Sequence, residues 1–199
     1  MEIRSFTELG APKISDERTI EGYSIVFGKE SRIMYDAERK RFFTEIIERS
    51  AVTEELLNRC DIKAVLEHDK HRLLARCRYG IGSLSLNIDD YGLQYRFISP
   101  HTSDGDFAKE MIKRGDIFGS SFAYYVDDKD KNKVSYSKKD GMLLRTVHVI
   151  DYISDISPVS DPAFFGTDVT VRSIEEIERQ FENTKRSYLS EIQTLEKLI

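Results

Sequence analysis

The chain has no tryptophan, only two cysteines and no long apolar run, and each shortage closes off a class of protein. Cys60 and Cys77 lack the C-x-x-C spacing of a zinc knuckle, and two cysteines are too few for a disulfide framework, so both are expected to be reduced and structural. No segment approaches the ~18 apolar residues that a membrane span requires. The opening MEIRSFTELG has no apolar signal-peptide core, which points to a protein made and kept in a cytoplasm. A basic excess is missing too. The formal net charge is -5, and a mildly acidic chain lacks the cationic stripe with which proteins grip a phosphate backbone. Internal repeats and low-complexity tracts are absent.

What is present suits one globular domain with at most an appendage: 199 residues, 40% of them hydrophobic and 33% charged. IEGYSIVF (20–27) is a short β-prone run. FFTEIIERSAVTEELLNR (42–59) reads as helical, with Ile46, Ile47, Leu56 and Leu57 as its apolar positions. IKAVLEH (62–68) alternates as a strand and runs into the polar DKHR. GSLSLNIDDYGLQYRFI (82–98) reads as a hairpin turning at Asp89-Asp90-Tyr91-Gly92. SDGDFAKEMIKRG (103–115) predicts a helix capped by Ser103 or Asp104 and closed by a left-handed Gly115. DDKDKNK (127–133) is a solvated loop, and MLLRTVHVIDYISDISPV (142–159) is the longest β-prone stretch. Residues 1–172 therefore read as a mainly β domain with flanking helices (α+β), an antiparallel barrel closed or nearly closed. From Ser173, Ile174, Ile177, Phe181, Tyr188, Ile192, Leu195 and Ile199 mark an amphipathic C-terminal helix over 173–199. Such a helix suits packing on the parent barrel, self-association or docking to a partner.

Within this framework GDIFGSSFAYYV (115–126) is unusual, since it places Gly-Ser-Ser in a strand otherwise rich in bulky residues. Period-two alternation puts Ser120 with Phe118, Phe122 and Tyr124 on a core-like face. Ser121 falls on the other face, between Gly119 and Ala123, where another group can approach its hydroxyl. A serine nucleophile needs a base, because its hydroxyl does not ionise near neutrality, and the base needs a third group to hold its tautomer. His68, at the end of its strand, is the candidate base. Asp151, Asp155, Asp161 and His148 are candidates for the third position. The His68-x-x-His71 spacing does not complete a metal set, and no metal or cofactor is implied. Asp69 is expected to structure its loop and His71 to face solvent.

EGYSIVFG, FTEIIERSAV, LEHD, GSLSLNIDDYGLQY, GDIFGSSFAYYV and DYISDISPVSDPAF together, in order over residues 20–168, resemble the prohead (capsid maturation) serine proteases of tailed bacteriophages. That family's Gly-x-x-x-Gly-x-Ser-Phe-x-Phe/Tyr pattern implies Ser121 as nucleophile, and its strand-terminal His-Asp pair implies His68 as base. Its Glu-Val-Ser-like motif before Pro-Val reads here as Asp155-Ile156-Ser157, so Asp155 is the implied third member. The family is similar in fold to the herpesvirus maturation protease (assemblin), a closed β-barrel whose third member is a second histidine, which keeps His148 as the alternative. The resemblance implies a serine endopeptidase that cleaves capsid or scaffold protein, and itself, inside the procapsid in the host cytoplasm, without nucleic acid or membrane as partner. The rival reading is a non-enzymatic module that binds capsid or scaffold through its C-terminal helix.

Overall fold

Aromatic and β-branched residues alternate along most of the chain, and that pattern forms fourteen strands among the described residues. The protein is represented by a computed structural model that describes residues 2–6, 10–36 and 39–161. In chain order the elements are β1 (Glu2–Phe6), β2 (Lys13–Ile14), β3 (Thr19–Val26), β4 (Met34–Asp36), β5 (Arg41–Ile47), α1 (Glu54–Arg59), β6 (Asp61–Leu66) and β7 (Asp69–Arg78). Then come β8 (Ile81–Gly82), β9 (Leu84–Ile88), β10 (Gly92–Ile98), α2 (Ser103–Arg114), β11 (Gly119–Tyr125), β12 (Val134–Lys139), β13 (Met142–Val147) and β14 (Tyr152–Val159).

The strands make one six-stranded sheet, β1-β11-β14-β6-β7-β8, and two four-stranded sheets, β2-β3-β10-β9 and β12-β13-β5-β4. The expected closed or nearly closed barrel is therefore not formed. Closure requires the first and last strands of one tilted sheet to pair, whereas among the described residues each sheet keeps two edge strands. The six-stranded sheet stops at the two-residue β8, where Gly82 has φ +153° and leaves no room for a Cβ against the Arg76 carbonyl. Short strands of this kind blunt an edge. The pairing is also not purely antiparallel, since β14 runs parallel to β6 and β13 parallel to β5. The expected boundary at residue 172 and the helix over 173–199 lie outside the described residues.

The stretch 42–59 differs from the helical expectation. It forms β5, a short 3-10 turn at Arg49–Ala51, and the six-residue α1, whose first turn is capped by the Thr53 side chain accepting from the Leu56 N–H. Its isoleucines serve a strand because β13 is available as a partner, a non-local fact that periodicity does not register. Glu45 of β5 is fully buried against Arg145 of β13 and the Tyr124 hydroxyl of β11, which donates to Glu45 Oε1 at 3.0 Å. This polar knot ties the third sheet to the first. Helix α2 forms as expected with Gly115 left-handed at its end, although Thr102 supplies the cap. The core runs through Ile20, Ile25, Leu93, Tyr95, Phe122, Ile153 and Ile156.

Candidate active site

Strands β6 and β7 are joined by Glu67 and His68 alone, with Leu66 and Asp69 as the flanking pair. Both connecting residues have left-handed φ, 53° and 56°, the signature of a type I′ hairpin turn that normally takes Asn-Gly. Non-glycine residues held this way cost about 1–3 kcal/mol each, and such strain gathers at functional sites. The turn is stapled to the end of β14: the Glu67 N–H donates to the Pro158 carbonyl at 3.2 Å, and the Ser160 N–H donates to Glu67 Oε1 at 2.8 Å. His68 thus sits in a two-residue turn rather than at the end of a strand, and DKHR opens β7, where the register slips between Val65 and Leu66.

On β11 the two serines are satisfied on opposite faces. Ser120 donates to the Gly10 carbonyl and accepts from the Tyr95 hydroxyl at 2.8 Å. Burial pushes the Tyr95 phenol far above its ordinary range, with the Ser120 hydrogen bond opposing. Ser121 lies opposite Ser157 of β14. It is 0% exposed, so the open face expected beside Gly119 and Ala123 is covered. Gly119 through Tyr124 are all buried because β11 is an interior strand between β1 and β14.

The Ser121 hydroxyl is 2.5 Å from His68 Nε2, and His68 Nδ1 is 2.6 Å from Asp155 Oδ1. Because an ionised carboxylate only accepts, Nδ1–H donates to Asp155 and Nε2 is left to accept from Ser121. Asp155 is 2% exposed, and its Oδ2 accepts from Ser154 Oγ at 2.7 Å. A register shift between Ala123 and Tyr124 leaves Ser154 as an extra residue on β14. Bulges of this kind re-aim a neighbouring side chain.

The other candidates for the third position are engaged elsewhere. His148 lies with Glu48 and Ser135, each 2.8 Å from one of its ring nitrogens. Asp151 accepts from Lys133 Nζ at 2.7 Å, and Asp161 lies 3.5 Å from Arg32. Asp69 accepts from the His71 N–H at 2.9 Å, and His71 is exposed. Glu67, Ser154 and Ser157 complete the cluster; all three lie in stretches that carry the resemblance, but the sequence singles out none of them as a site residue. Among the described residues no group of three or more His, Cys, Asp or Glu is placed to hold a metal ion. No described helix is long and apolar enough to cross a membrane.

A hydroxyl, an imidazole and a carboxylate in this order can transfer a proton from a nucleophile as it attacks a carbonyl. In comparison with known proteins, the chain matches the family model described as caudovirus prohead serine protease over residues 7–186. No curated protein and no solved structure matches it.

Proposed function

Because the chain belongs to the caudovirus prohead serine proteases, we propose that it matures the capsid by acyl-enzyme chemistry at Ser121, with His68 as general base and Asp155 holding the imidazole. The observation that carries this reading is the unbroken relay from Ser121 Oγ to His68 Nε2 at 2.5 Å and from His68 Nδ1 to Asp155 Oδ1 at 2.6 Å. The family is one of serine peptidases, so the alternative of a binding module with an idle serine is set aside.

In this mechanism Ser121 Oγ attacks the scissile carbonyl carbon while its proton passes to His68 Nε2. The tetrahedral intermediate collapses, the C–N bond breaks, and His68 returns the proton to the leaving amine. Water then attacks the acyl ester, giving its proton to His68, and the ester C–O bond breaks to restore the Ser121 hydroxyl. Asp155 stays ionised throughout and stabilises the imidazolium. Backbone N–H groups facing the developing oxyanion contribute about 3–4 kcal/mol each in such sites.

The substrates we assign are the capsid protein or a separate scaffold protein, and the chain itself. Cleavage takes place within the procapsid, where confinement raises the effective concentration of both partners. The test is co-expression with the capsid protein of the same virus, comparing wild type with Ser121→Ala by mass spectrometry. Trimming by wild type alone supports the reading. Intact products from both, under conditions where procapsids form, overturn it.

A further inference from the structure

We propose that Ser157 is a positioning residue for the relay, an inference that rests on the reading of Ser121, His68 and Asp155 as its three members. Ser157 is fully buried and stands directly across the ladder from Ser121. Two residues beyond Asp155 on β14, it shares that residue's face of the strand. Its hydroxyl oxygen lies 3.3 Å from the His68 backbone N–H, 3.3 Å from His68 Nδ1 and 3.4 Å from Asp155 Oδ1. One oxygen therefore touches the backbone of the base, its ring and the acid.

Donor accounting assigns each contact. A serine hydroxyl has one proton and two lone pairs. The His68 N–H donates into Ser157 Oγ, and the Ser157 O–H donates to Asp155 Oδ1, alongside the shorter Nδ1–H bond to the same carboxylate oxygen. Ser154 occupies Oδ2, so both carboxylate oxygens are held from within β14. The backbone contact has a second effect. His68 has a left-handed φ of 56°, and its N–H is held by the strand that also carries the acid. Ser157 thereby couples the strained turn to Asp155, so that the ring cannot drift from Ser121 without breaking a buried contact.

Removing the hydroxyl should loosen the base against both partners while leaving Ser121, His68 and Asp155 chemically intact. Displacement of a reacting group by about 1 Å costs on the order of 100-fold, and loss of an outer partner that orients a metal-binding side chain costs about 10- to 100-fold, the scale expected for a partner that orients a catalytic base. The experiment compares wild type, Ser121→Ala, Ser157→Ala and Ser157→Thr by the rate at which a fluorophosphonate phosphonylates the protein, with loss of fluoride, read as intact mass. The downfield proton resonance of His68 Nδ1 and the thermal midpoint are recorded for each. The expected result is labelling of wild type and not of Ser121→Ala. Ser157→Ala should label roughly 10- to 100-fold more slowly with a shifted or broadened His68 resonance, and Ser157→Thr, which keeps the hydroxyl, should recover much of the rate. Wild-type labelling with Ser157→Ala within about 3-fold and an unchanged resonance overturns the role of Ser157 and leaves the relay standing. So does a loss that only follows unfolding, with the resonance intact in the folded fraction. Absence of labelling in wild type overturns the relay and this inference together.

Discussion

Replacing Asp155 with Asn keeps the outline of the side chain and removes its charge. The carboxylate is 2% exposed and takes the Nδ1–H of His68 at 2.6 Å, so it determines which ring nitrogen carries the proton. An amide at this position can present its NH₂ to Nδ1 instead. The proton then resides on Nε2, 2.5 Å from Ser121 Oγ, where the mechanism needs an acceptor. In serine proteases a wrong tautomer of this kind lowers turnover about 10⁴-fold, or about 5.4 kcal/mol of transition-state stabilisation at ~1.36 kcal/mol per tenfold. The fold should survive, since the amide oxygen can accept from Ser154 in place of Oδ2. Fluorophosphonate labelling and capsid-protein trimming, with circular dichroism as a folding control, measure the effect. An Asp155→Asn protein that keeps more than about a tenth of the wild-type rate, while Ser121→Ala keeps none, would refute the tautomer argument. Asp155→Glu is a harsher geometric probe. Its extra methylene adds about 1.5 Å to an already short contact and should cost on the order of 100-fold.

Further outcomes follow from the packing. Arg145→Met leaves the fully buried Glu45 without its cation and should cost about 3–5 kcal/mol in urea unfolding. The double variant Arg145→Met, Glu45→Leu should recover most of that loss, and no recovery would count against a paired-charge account. Gly22→Ala places a Cβ 2.8 Å from the Tyr95 hydroxyl and 3.0 Å from the Gly10 carbonyl, both held by Ser120, and should destabilise by about 1–3 kcal/mol. An unchanged melting temperature would show that the strand gives way. Hydrogen bonds from Arg76 and Arg18 hold the Asp61 and Asp106 carboxyls below their ordinary range. Their stabilisation is present above the unfolded value of about 3.9 and is lost as pH falls through the folded values. The urea midpoint should therefore drop as pH falls below about 5, and Asp61→Asn should flatten that slope.

Features decided within a few residues were legible in the sequence. The β9–β10 hairpin turns where Asp89-Asp90-Tyr91-Gly92 stands because Asp89 Oδ1 accepts from the N–H groups of Tyr91 and Gly92, both at 2.8 Å. Gly115 closes α2 for an equally local reason. Ser121 and His68 stood out through chemistry and through the resemblance. Strand β5 did not stand out, because Ile46 and Ile47 fit either period until β13 supplies a ladder. The turn at Glu67-His68 carries none of the glycine or asparagine that marks a type I′ hairpin. Its conformation is imposed by β14, more than 80 residues away. The number of sheets was equally hidden, since the residues that face inward in a closed barrel are the same ones that face a second sheet.

The order of strands in the six-stranded sheet bears on how the enzyme comes into being. Strand β14 lies between β11, which carries Ser121, and β6, whose turn carries His68. A chain cut short before Tyr152 would lack Asp155 and would hold Ser121 and His68 on strands that share no neighbour. Pairings this distant in sequence are intrinsically slow to form. Under the proposed mechanism, proteolytic competence then waits for β14 to take its place between the other two strands, and a chain truncated before it should not cleave.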